Sequence, residues 1–184
     1  VINESTFTYV RQKKMLGLGH AILTGRPLIG NEPFAVILAD DLCYSDDTSI
    51  MCQLIEKYNQ HKCSIVAIRE VPFDQTSHYG IIVGEKLANS KDTYRVSDMI
   101  EKPKEIDAPS DMAIIGRYIL TPDIFNILQT LEPDQRGEIQ ITDALKVQAE
   151  QGKVIAYKFK GNHFDCGSIE GFVDATNFFA KKFL

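Results

Sequence analysis

Two carboxylates follow short apolar runs in widely separated parts of the chain. The run at residues 34–38 leads through Ala39 into Asp40, and Phe164 directly precedes Asp165. A β-branched apolar run predicts a buried strand, and open α/β sheets bind their ligands at the carboxyl ends of such strands. Two carboxylates that meet there suit Mg²⁺, which keeps several water ligands and bridges phosphate oxygens. We therefore expect Asp40 and Asp165 to converge with their carboxylates closer than about 8 Å, the alternative being that each is a turn or loop-capping residue.

An acidic and a basic side chain stand side by side at the end of another strand-like segment. Glu101 and Lys102 follow Ile100 and precede Pro103. Because adjacent residues of a strand point to opposite faces, the two charges can have separate tasks. The carboxylate can accept hydrogen bonds from sugar hydroxyls, while the ammonium can pair with a phosphate. The alternative is the exposed, charged end of a hairpin.

Glycines supply a third chemical feature, because they let a ligand approach the backbone closely. Gly17 and Gly19 precede a predicted helix and offer backbone N–H groups to an anionic or polar ligand. Gln12 lies shortly before this turn and can present donor and acceptor groups to the edge of a nucleobase. Gly80 would permit a similar approach, and its alternative interpretation is a β-bulge.

The elements that must position these residues are strands and helices in alternation. Buried strands are predicted at residues 34–38 and 64–68, joined by a capped helix that begins near Ser49, so a parallel core is expected. The middle of the chain changes to strands separated by polar loops, which predicts an antiparallel portion. Further strands are predicted at residues 6–10, 79–83, 94–100, 112–120 and 154–157 and in a segment ending at 164–167, and further helices at residues 17–23, after Thr121, at 137–151 and at the C-terminal end.

The composition limits the class of function. The 184 residues carry a formal charge of −5, with 44% hydrophobic and 24% charged residues, as in an ordinary globular protein. The negative charge argues against a nucleic-acid partner, and no apolar run approaches the roughly 20 residues that span a membrane. Four cysteines show no spacing typical of zinc sites or disulfide frameworks. We therefore expect reduced thiols in a cytoplasmic protein.

Several motifs together resemble those of the bacterial UTP–glucose-1-phosphate uridylyltransferases of the nucleotidyltransferase superfamily. Their order and approximate spacing extend through essentially the whole chain. The turn Gly17-Leu18-Gly19-His20-Ala21 is similar to the uridylyl form rather than to the thymidylyl or adenylyl forms. The other motifs are Gln12, Ile37-Leu38-Ala39-Asp40, Tyr79-Gly80, Ile100-Glu101-Lys102-Pro103-Lys104, Gly116-Arg117-Tyr118, the segment from Gly137 to Ala144, and Asp165-Cys166-Gly167.

The resemblance implies both a fold and a set of roles. The fold would be α/β, with a Rossmann-like sheet that is mixed and mostly parallel with a small antiparallel portion, in a single domain spanning residues 1–184. The reaction would convert UTP and glucose 1-phosphate into UDP-glucose and pyrophosphate. The implied roles are catalysis for Asp40 and Lys102, Mg²⁺ binding for Asp40 and Asp165, uracil contact for Gln12 and Gly17, glucose contact for Gly80, Glu101 and the backbone near Ile114, and phosphate contact for Lys102.

The chain departs from the family pattern at its start. The family begins with a strand, a GxGTR-type loop and a lysine that cradle the triphosphate, and residues 1–184 contain no such loop. We therefore expect a chain that corresponds to the C-terminal two-thirds of such an enzyme, turns over UTP poorly, and forms a homo-oligomer through sheet strands left open. Two alternatives remain: a nucleotidyltransferase with another base or sugar, and a non-catalytic regulatory paralogue.

Overall fold

The computed structural model describes residues 4–184, and its main feature is a six-stranded sheet with helices on both faces. The helices are α1 (Gly17–Thr24), α2 (Arg26–Ile29), α3 (Ile50–His61), α4 (Ile124–Leu128), α5 (Ile141–Glu150) and α6 (Ile169–Phe183). The strands are β1 (Phe34–Ile37), β2 (Asp41–Tyr44), β3 (Ser64–Glu70), β4 (Gly80–Lys86), β5 (Thr93–Glu101), β6 (Met112–Leu120), β7 (Val154–Lys158) and β8 (Asn162–Asp165). Short 3₁₀ turns lie at Phe73–His78 and Glu105–Asp107.

The large sheet is mixed. Its strand order is β1-β6-β3-β7-β5-β4, and β4 pairs additionally with β6. Strands β3 and β7 pair in parallel, whereas β6 is antiparallel to both β1 and β3 and β5 is antiparallel to both β4 and β7. Consequently β1, β3, β4 and β7 point one way, and β5 and β6 point the other. The predicted α/β class with a mixed sheet is confirmed, although β6 lies between β1 and β3, where direct parallel contact was predicted.

Strand β3 is buried on both faces from Ser64 to Ile68, which explains the apolar run at residues 65–68, and only its last two residues are exposed. Ile65 and Ala67 pack with α3, while Val66 and Ile68 pack on the opposite face with α4 and α5. The side chain of Ser49 accepts a backbone hydrogen bond at the start of α3, which confirms the predicted cap. The apolar run was sufficient to predict strand β3, and the capping residue was sufficient to predict where helix α3 begins.

Strand β6 carries an irregularity in its pairing with β3. Val66 pairs with Tyr118, whereas Ala67 pairs with Ile115, so Gly116 and Arg117 form a bulge. The bulge turns the Gly116 N–H and the Arg117 side chain toward β2, where both make hydrogen bonds. It therefore connects the large sheet to the small one.

The small sheet consists of β2 and β8, of which the sequence predicted only β8. Asp41 pairs with Asp165 and Cys43 pairs with His163. No strand was predicted at residues 41–44, which follow Asp40 and were expected to lead into a loop. Their antiparallel partner lies about 120 residues away in the sequence, which is the kind of pairing that local patterns do not reveal.

Two other predictions were wrong. Residues 6–10 alternate like a strand but form none, and Tyr9 is 91% exposed, because this segment packs on no face that would bury its apolar side chains. Helix α5 starts at Ile141 rather than residue 137, since Gly137 adopts a positive φ of 79° and residues 137–140 form a loop.

Of the segments 6–10, 34–38 and 64–68, which were expected to include strands left open, the second forms an open edge at β1 and the third, β3, does not. Strand β1 stands at one end of the sheet order, and Ile37 is 57% exposed. Strand β3 lies inside the sheet and is buried except for its last two residues. The final helix, α6, is present as predicted, and Phe172 on its apolar face is 61% exposed. Among residues 4–184 no helix has the length and apolar character needed to cross a membrane.

Candidate functional site

The predicted site residues surround one cavity of about 380 Å³. The cavity lies where β1, β5 and β8 end. It is lined by Gly17, Asp40, Glu101, Lys102, Ile114 and Asp165, together with residues that the sequence interpretation did not single out. Gly80 and Gln12 contact this lining from behind, as described below. The structure therefore gathers residues from distant parts of the chain, as the sequence predicted.

Asp40 and Asp165 are adjacent in space. The N–H of Cys166 donates to the backbone oxygen of Asp40 at 2.7 Å, which ties the ends of β8 and β1 together. A Cβ placed on Gly167 would lie 3.0 Å from Asp165 Oδ1 and 3.4 Å from Asp40 Oδ2. The two carboxylate oxygens are therefore closer than the limit of about 8 Å expected for carboxylates that share a metal.

The surroundings of Asp165 hold its carboxylate in place. The Gly167 N–H donates to Oδ1 at 3.0 Å, and the Tyr79 hydroxyl donates to Oδ2 at 3.3 Å. Burial, reinforced by the negative charge of Asp165, raises the pKa of Tyr79 to about 12. Tyr79 therefore stays protonated at neutral pH and acts as a hydrogen-bond donor.

The metal-binding capacity of the cavity rests on two carboxylates. Within residues 4–184 there is no group of three or more His, Cys, Asp or Glu side chains arranged to hold an ion. Asp40 and Asp165 are a pair of oxygen donors, of the kind that a divalent cation binds together with phosphate oxygens and water. Mg²⁺ is commonly bound in this manner, through one or two carboxylates and a substrate phosphate.

Asp41, the second aspartate of the pair, has a different environment from Asp40. One of its oxygens contacts Nε2 of His163, and the other accepts the Gly116 N–H at 3.0 Å. Arg117 donates to the backbone oxygens of both Leu38 and Asp41. Asp41 is thus fully engaged in holding β2 against β6 and β8, and the sequence interpretation missed this network.

Glu101 lines the same cavity as the aspartate pair. Its Oε2 accepts the Thr142 hydroxyl at 2.6 Å. A Cβ on Gly80 would lie 3.1 Å from Thr142 Oγ1, 3.2 Å from Glu101 Oε2 and 3.3 Å from Ile114 Cδ1. Gly80 therefore keeps the backbone open next to the carboxylate, and a side chain there would press on all three groups.

Lys102 occupies an unusual backbone conformation. Its φ is +45°, in the left-handed region that non-glycine residues seldom adopt. Its N–H donates to the backbone oxygen of Tyr79 at 3.0 Å, which fixes the turn after β5. Backbone strain of this kind is concentrated at functional sites. Lys102 also lines the cavity, next to Glu101 in the chain.

The glycine turn at the start of α1 packs against the loop before α5. The Gly19 N–H donates to Ile139 O at 2.9 Å, and the Ile139 N–H donates to Leu16 O at 2.8 Å. The Gln12 amide nitrogen donates to Gly17 O at 3.1 Å and contacts His20 Nδ1 at 2.9 Å. Gln12 therefore contacts the cavity lining through Gly17.

Asp134 organises the loop that supports this turn. Its Oδ1 accepts the N–H groups of Arg136 and Glu138 at 2.8 and 2.9 Å, and its Oδ2 accepts from the Gln140 amide at 3.0 Å. These hydrogen bonds, the Glu138 N–H first among them, lower the pKa of Asp134 to about 2. Glu138 and Gln140 both line the cavity.

We expect Asp134 to contribute to the free energy of unfolding above pH about 4 and to lose this contribution as the pH falls toward 2. The reason is that its pKa is about 2 in the folded protein and about 3.9 in the unfolded chain. Urea unfolding of the parent and of Asp134→Asn checks this. The difference between their unfolding midpoints should be largest above pH 4 and should shrink in acid. The same change at exposed Asp107 is the control, and a difference that is constant from pH 6 to pH 2 would contradict the prediction.

Comparison with known proteins identifies the family to which this chain belongs. The profile of a family described as "Nucleotidyl transferase" matches residues 3–182. The chain therefore belongs to the nucleotidyl transferase family. This agrees with the mixed α/β sheet and with a cavity that combines paired carboxylates, a lysine and a glycine turn.

Two individual relatives show which members of this family the chain is similar to. The UTP–glucose-1-phosphate uridylyltransferase of Pseudomonas aeruginosa PAO1 is 61% identical over 179 residues, which are 97% of this chain and 63% of that protein. The protein of the same name from Staphylococcus epidermidis is 45% identical over 174 residues, 95% of this chain and 59% of the relative. The chain thus spans less than two thirds of either relative.

A solved structure agrees with these relatives. The crystal structure of UDP-glucose pyrophosphorylase complexed with UDP-glucose superposes with a TM-score of 0.94 at 56% sequence identity. The match covers 98% of this chain and 68% of the solved one.

Proposed function

We propose that this chain carries the sugar-phosphate and metal-binding part of a UTP–glucose-1-phosphate uridylyltransferase. The observation that carries the proposal is the convergence of Asp40, Asp165, Glu101 and Lys102 on one cavity. The names of the similar proteins support the substrate pair of UTP and glucose 1-phosphate, with UDP-glucose as product. The phosphate oxygen of the sugar would attack the α-phosphorus of UTP and expel pyrophosphate.

The residues divide the task between positioning and charge neutralisation. Glu101 would accept hydrogen bonds from glucose hydroxyls, with Gly80 and the backbone near Ile114 shaping the wall beside it. The ammonium of Lys102 would pair with the sugar phosphate. Phosphoryl transfer depends mainly on holding the reacting groups in line and stabilising charge, so none of these residues needs to shuttle a proton.

Asp40 and Asp165 would hold Mg²⁺. The ion, when bound, would neutralise the phosphate charge that develops as the bond to pyrophosphate breaks. Tyr79 and Gly167 keep the Asp165 carboxylate oriented toward Asp40. Gln12 and the Gly17 backbone would contact the uracil, as the resemblance implies.

Calorimetry of the purified chain with UDP-glucose, in the presence and absence of Mg²⁺, tests the proposal. We expect binding that Mg²⁺ strengthens, and loss of this strengthening in Asp165→Asn. The control is Asp174→Asn on the exposed side of α6, which should behave like the parent. Absence of UDP-glucose binding by the parent would refute the proposal. Pyrophosphate release from UTP and glucose 1-phosphate should be slow, and rapid turnover would show that residues 1–184 suffice for catalysis.

The location and assembly of the protein belong to the same proposal. We place it in the cytoplasm as a single nucleotidyltransferase domain, and its four free thiols are consistent with that compartment.

We also expect a homo-oligomer. The open edge at β1 and an apolar hollow along α6, lined by Phe172, Phe179 and Phe183, support self-association. Light scattering should show species heavier than a monomer, and a monomer at every concentration would refute this part.

A further inference from the structure

We propose that Thr142 is a positioning residue that fixes the Glu101 carboxylate so that its free oxygen selects a sugar hydroxyl. The inference rests on the proposed function and extends it to a residue outside the predicted set. Thr142 is the second residue of α5 and is only 4% exposed, whereas Glu101 is the last residue of β5, and both line the cavity. The hydrogen bond between them links a helix to a strand.

The geometry of this hydrogen bond is specific. The Thr142 hydroxyl donates to Glu101 Oε2 at 2.6 Å, the short distance typical of a hydroxyl that donates to a carboxylate. Among the hydrogen bonds of residues 4–184, this is the one that reaches the Glu101 side chain. It occupies Oε2 and leaves Oε1 to accept from a ligand.

The cavity wall shows where that ligand group would lie. Gly80 faces Thr142 Oγ1, Glu101 Oε2 and Ile114 Cδ1, all within 3.3 Å of the position that a side-chain Cβ would take. The absence of a side chain at Gly80 thus lets Thr142 and Glu101 approach each other and the backbone of β4 without a clash. Glu101 and Ile114 both line the cavity, and a sugar ring held there would offer a hydroxyl donor to the carboxylate and C–H groups to the isoleucine.

The consequence is selectivity by preorganisation. A glutamate side chain has several rotamers, and a ligand that must immobilise it binds more weakly than a ligand that finds it fixed. Loss of the Thr142 hydroxyl should therefore weaken sugar-phosphate binding by about 3- to 10-fold, the range for immobilising one long side chain. It should also reduce discrimination between a sugar with the contacted hydroxyl and one without it, because a mobile carboxylate can take other acceptor positions.

Calorimetry with glucose 1-phosphate and its monodeoxy analogues tests this, using the parent chain, Thr142→Val and Thr142→Ser. The parent should discriminate against at least one deoxy analogue. The valine variant, which keeps the shape but cannot donate, should bind glucose 1-phosphate more weakly and discriminate less. The serine variant keeps the hydroxyl and should remain within about twofold of the parent on both measures. Thr176→Val on exposed α6 is the matched control and should change neither.

The outcomes separate this inference from the proposed function. A parent that binds neither glucose 1-phosphate nor UDP-glucose overturns both. A parent that binds, with a valine variant that keeps the same affinity and discrimination, overturns only the role of Thr142. A serine variant as impaired as valine also overturns it, because the methyl group rather than the hydroxyl would then matter. Should the valine variant fail to fold, Thr142→Cys, a weak donor of similar size, takes its place with the same expectations.

Discussion

Replacement of Lys102 by glycine or by alanine should weaken binding of the sugar phosphate equally, whereas the glycine variant should be the more stable of the two. Both variants lose the charged hydrogen bond from the ammonium, a loss of about 1.5–3 kcal/mol or roughly 10- to 150-fold in affinity. They differ in the backbone, because φ at residue 102 is +45°. In this conformation alanine is destabilised by about 1–2 kcal/mol, whereas glycine is not strained. Glycine also gives the unfolded chain more conformational entropy, which cancels part of this difference, so the glycine variant should be more stable by about 1 kcal/mol. Calorimetry with glucose 1-phosphate and urea unfolding measure the two effects.

Lys62 provides a matched control for the Lys102 variants. It is the other described non-glycine residue with positive φ, at +53°, and it ends α3 away from the cavity. Lys62→Gly should therefore be more stable than Lys62→Ala by a similar amount while binding glucose 1-phosphate like the parent. If Lys102→Ala also binds like the parent, Lys102 does not contact the phosphate. If glycine and alanine at position 102 are equally stable, the left-handed conformation is not a source of strain.

The parts of the structure that the sequence predicted are those with local causes. Strand β3 is apolar at residues 65–68 because both of its faces are buried there, and α3 begins where Ser49 can cap it. Asp40 and Asp165 were predicted to meet because each follows a strand, and topology brings the ends of β1 and β8 together. For β3 and α3 a short stretch of sequence contains the physical reason for its own structure, whereas the meeting of Asp40 and Asp165 was predicted from the rule that ligands bind where strands of an α/β sheet end.

The features that the sequence did not reveal depend on partners far along the chain. Asp41 was given no role beyond a possible loop cap, yet its carboxylate contacts His163 and Gly116. Thr142 was interpreted only as part of a helix start, whereas its hydroxyl reaches Glu101, 41 residues away in the sequence. The positive φ of Lys102 and the hydrogen bond from its N–H to the Tyr79 backbone oxygen were likewise not predicted. Pairwise contacts of this kind need the fold before they can be recognised.

The bulge at Gly116 shows why one such contact matters for the whole site. Its N–H donates to Asp41 Oδ2 at 3.0 Å, while Arg117 binds the backbone oxygens of Leu38 and Asp41. These bonds fix the segment that contains Asp40 between them. Since Asp41 also pairs with Asp165 in the small sheet, the same network sets the position of both proposed metal ligands.

Gly116→Ala should consequently unfold more easily and lose the strengthening of UDP-glucose binding by Mg²⁺. A Cβ at this position would collide with Asp41 Oδ2 and lie 2.6 Å from Leu38, so the partly buried carboxylate or the strand must shift. Overpacking of this kind costs about 1–3 kcal/mol, before any loss of the hydrogen bond to the carboxylate. Urea unfolding and calorimetry measure both effects. Gly25→Ala, at a helical backbone position with no contact closer than 3.2 Å, should change the unfolding free energy by less than about 1 kcal/mol.

A second substitution tests whether the collision with Asp41 is the cause. In the Asp41→Ser background the obstructing oxygen is withdrawn, so the additional destabilisation from Gly116→Ala should be smaller than in the parent, as expected for residues in direct contact. Equal penalties in the two backgrounds would assign the effect to Leu38 alone. A Gly116→Ala variant as stable as the parent, with the same Mg²⁺-dependent binding, would show that the bulge does not hold the aspartates in place.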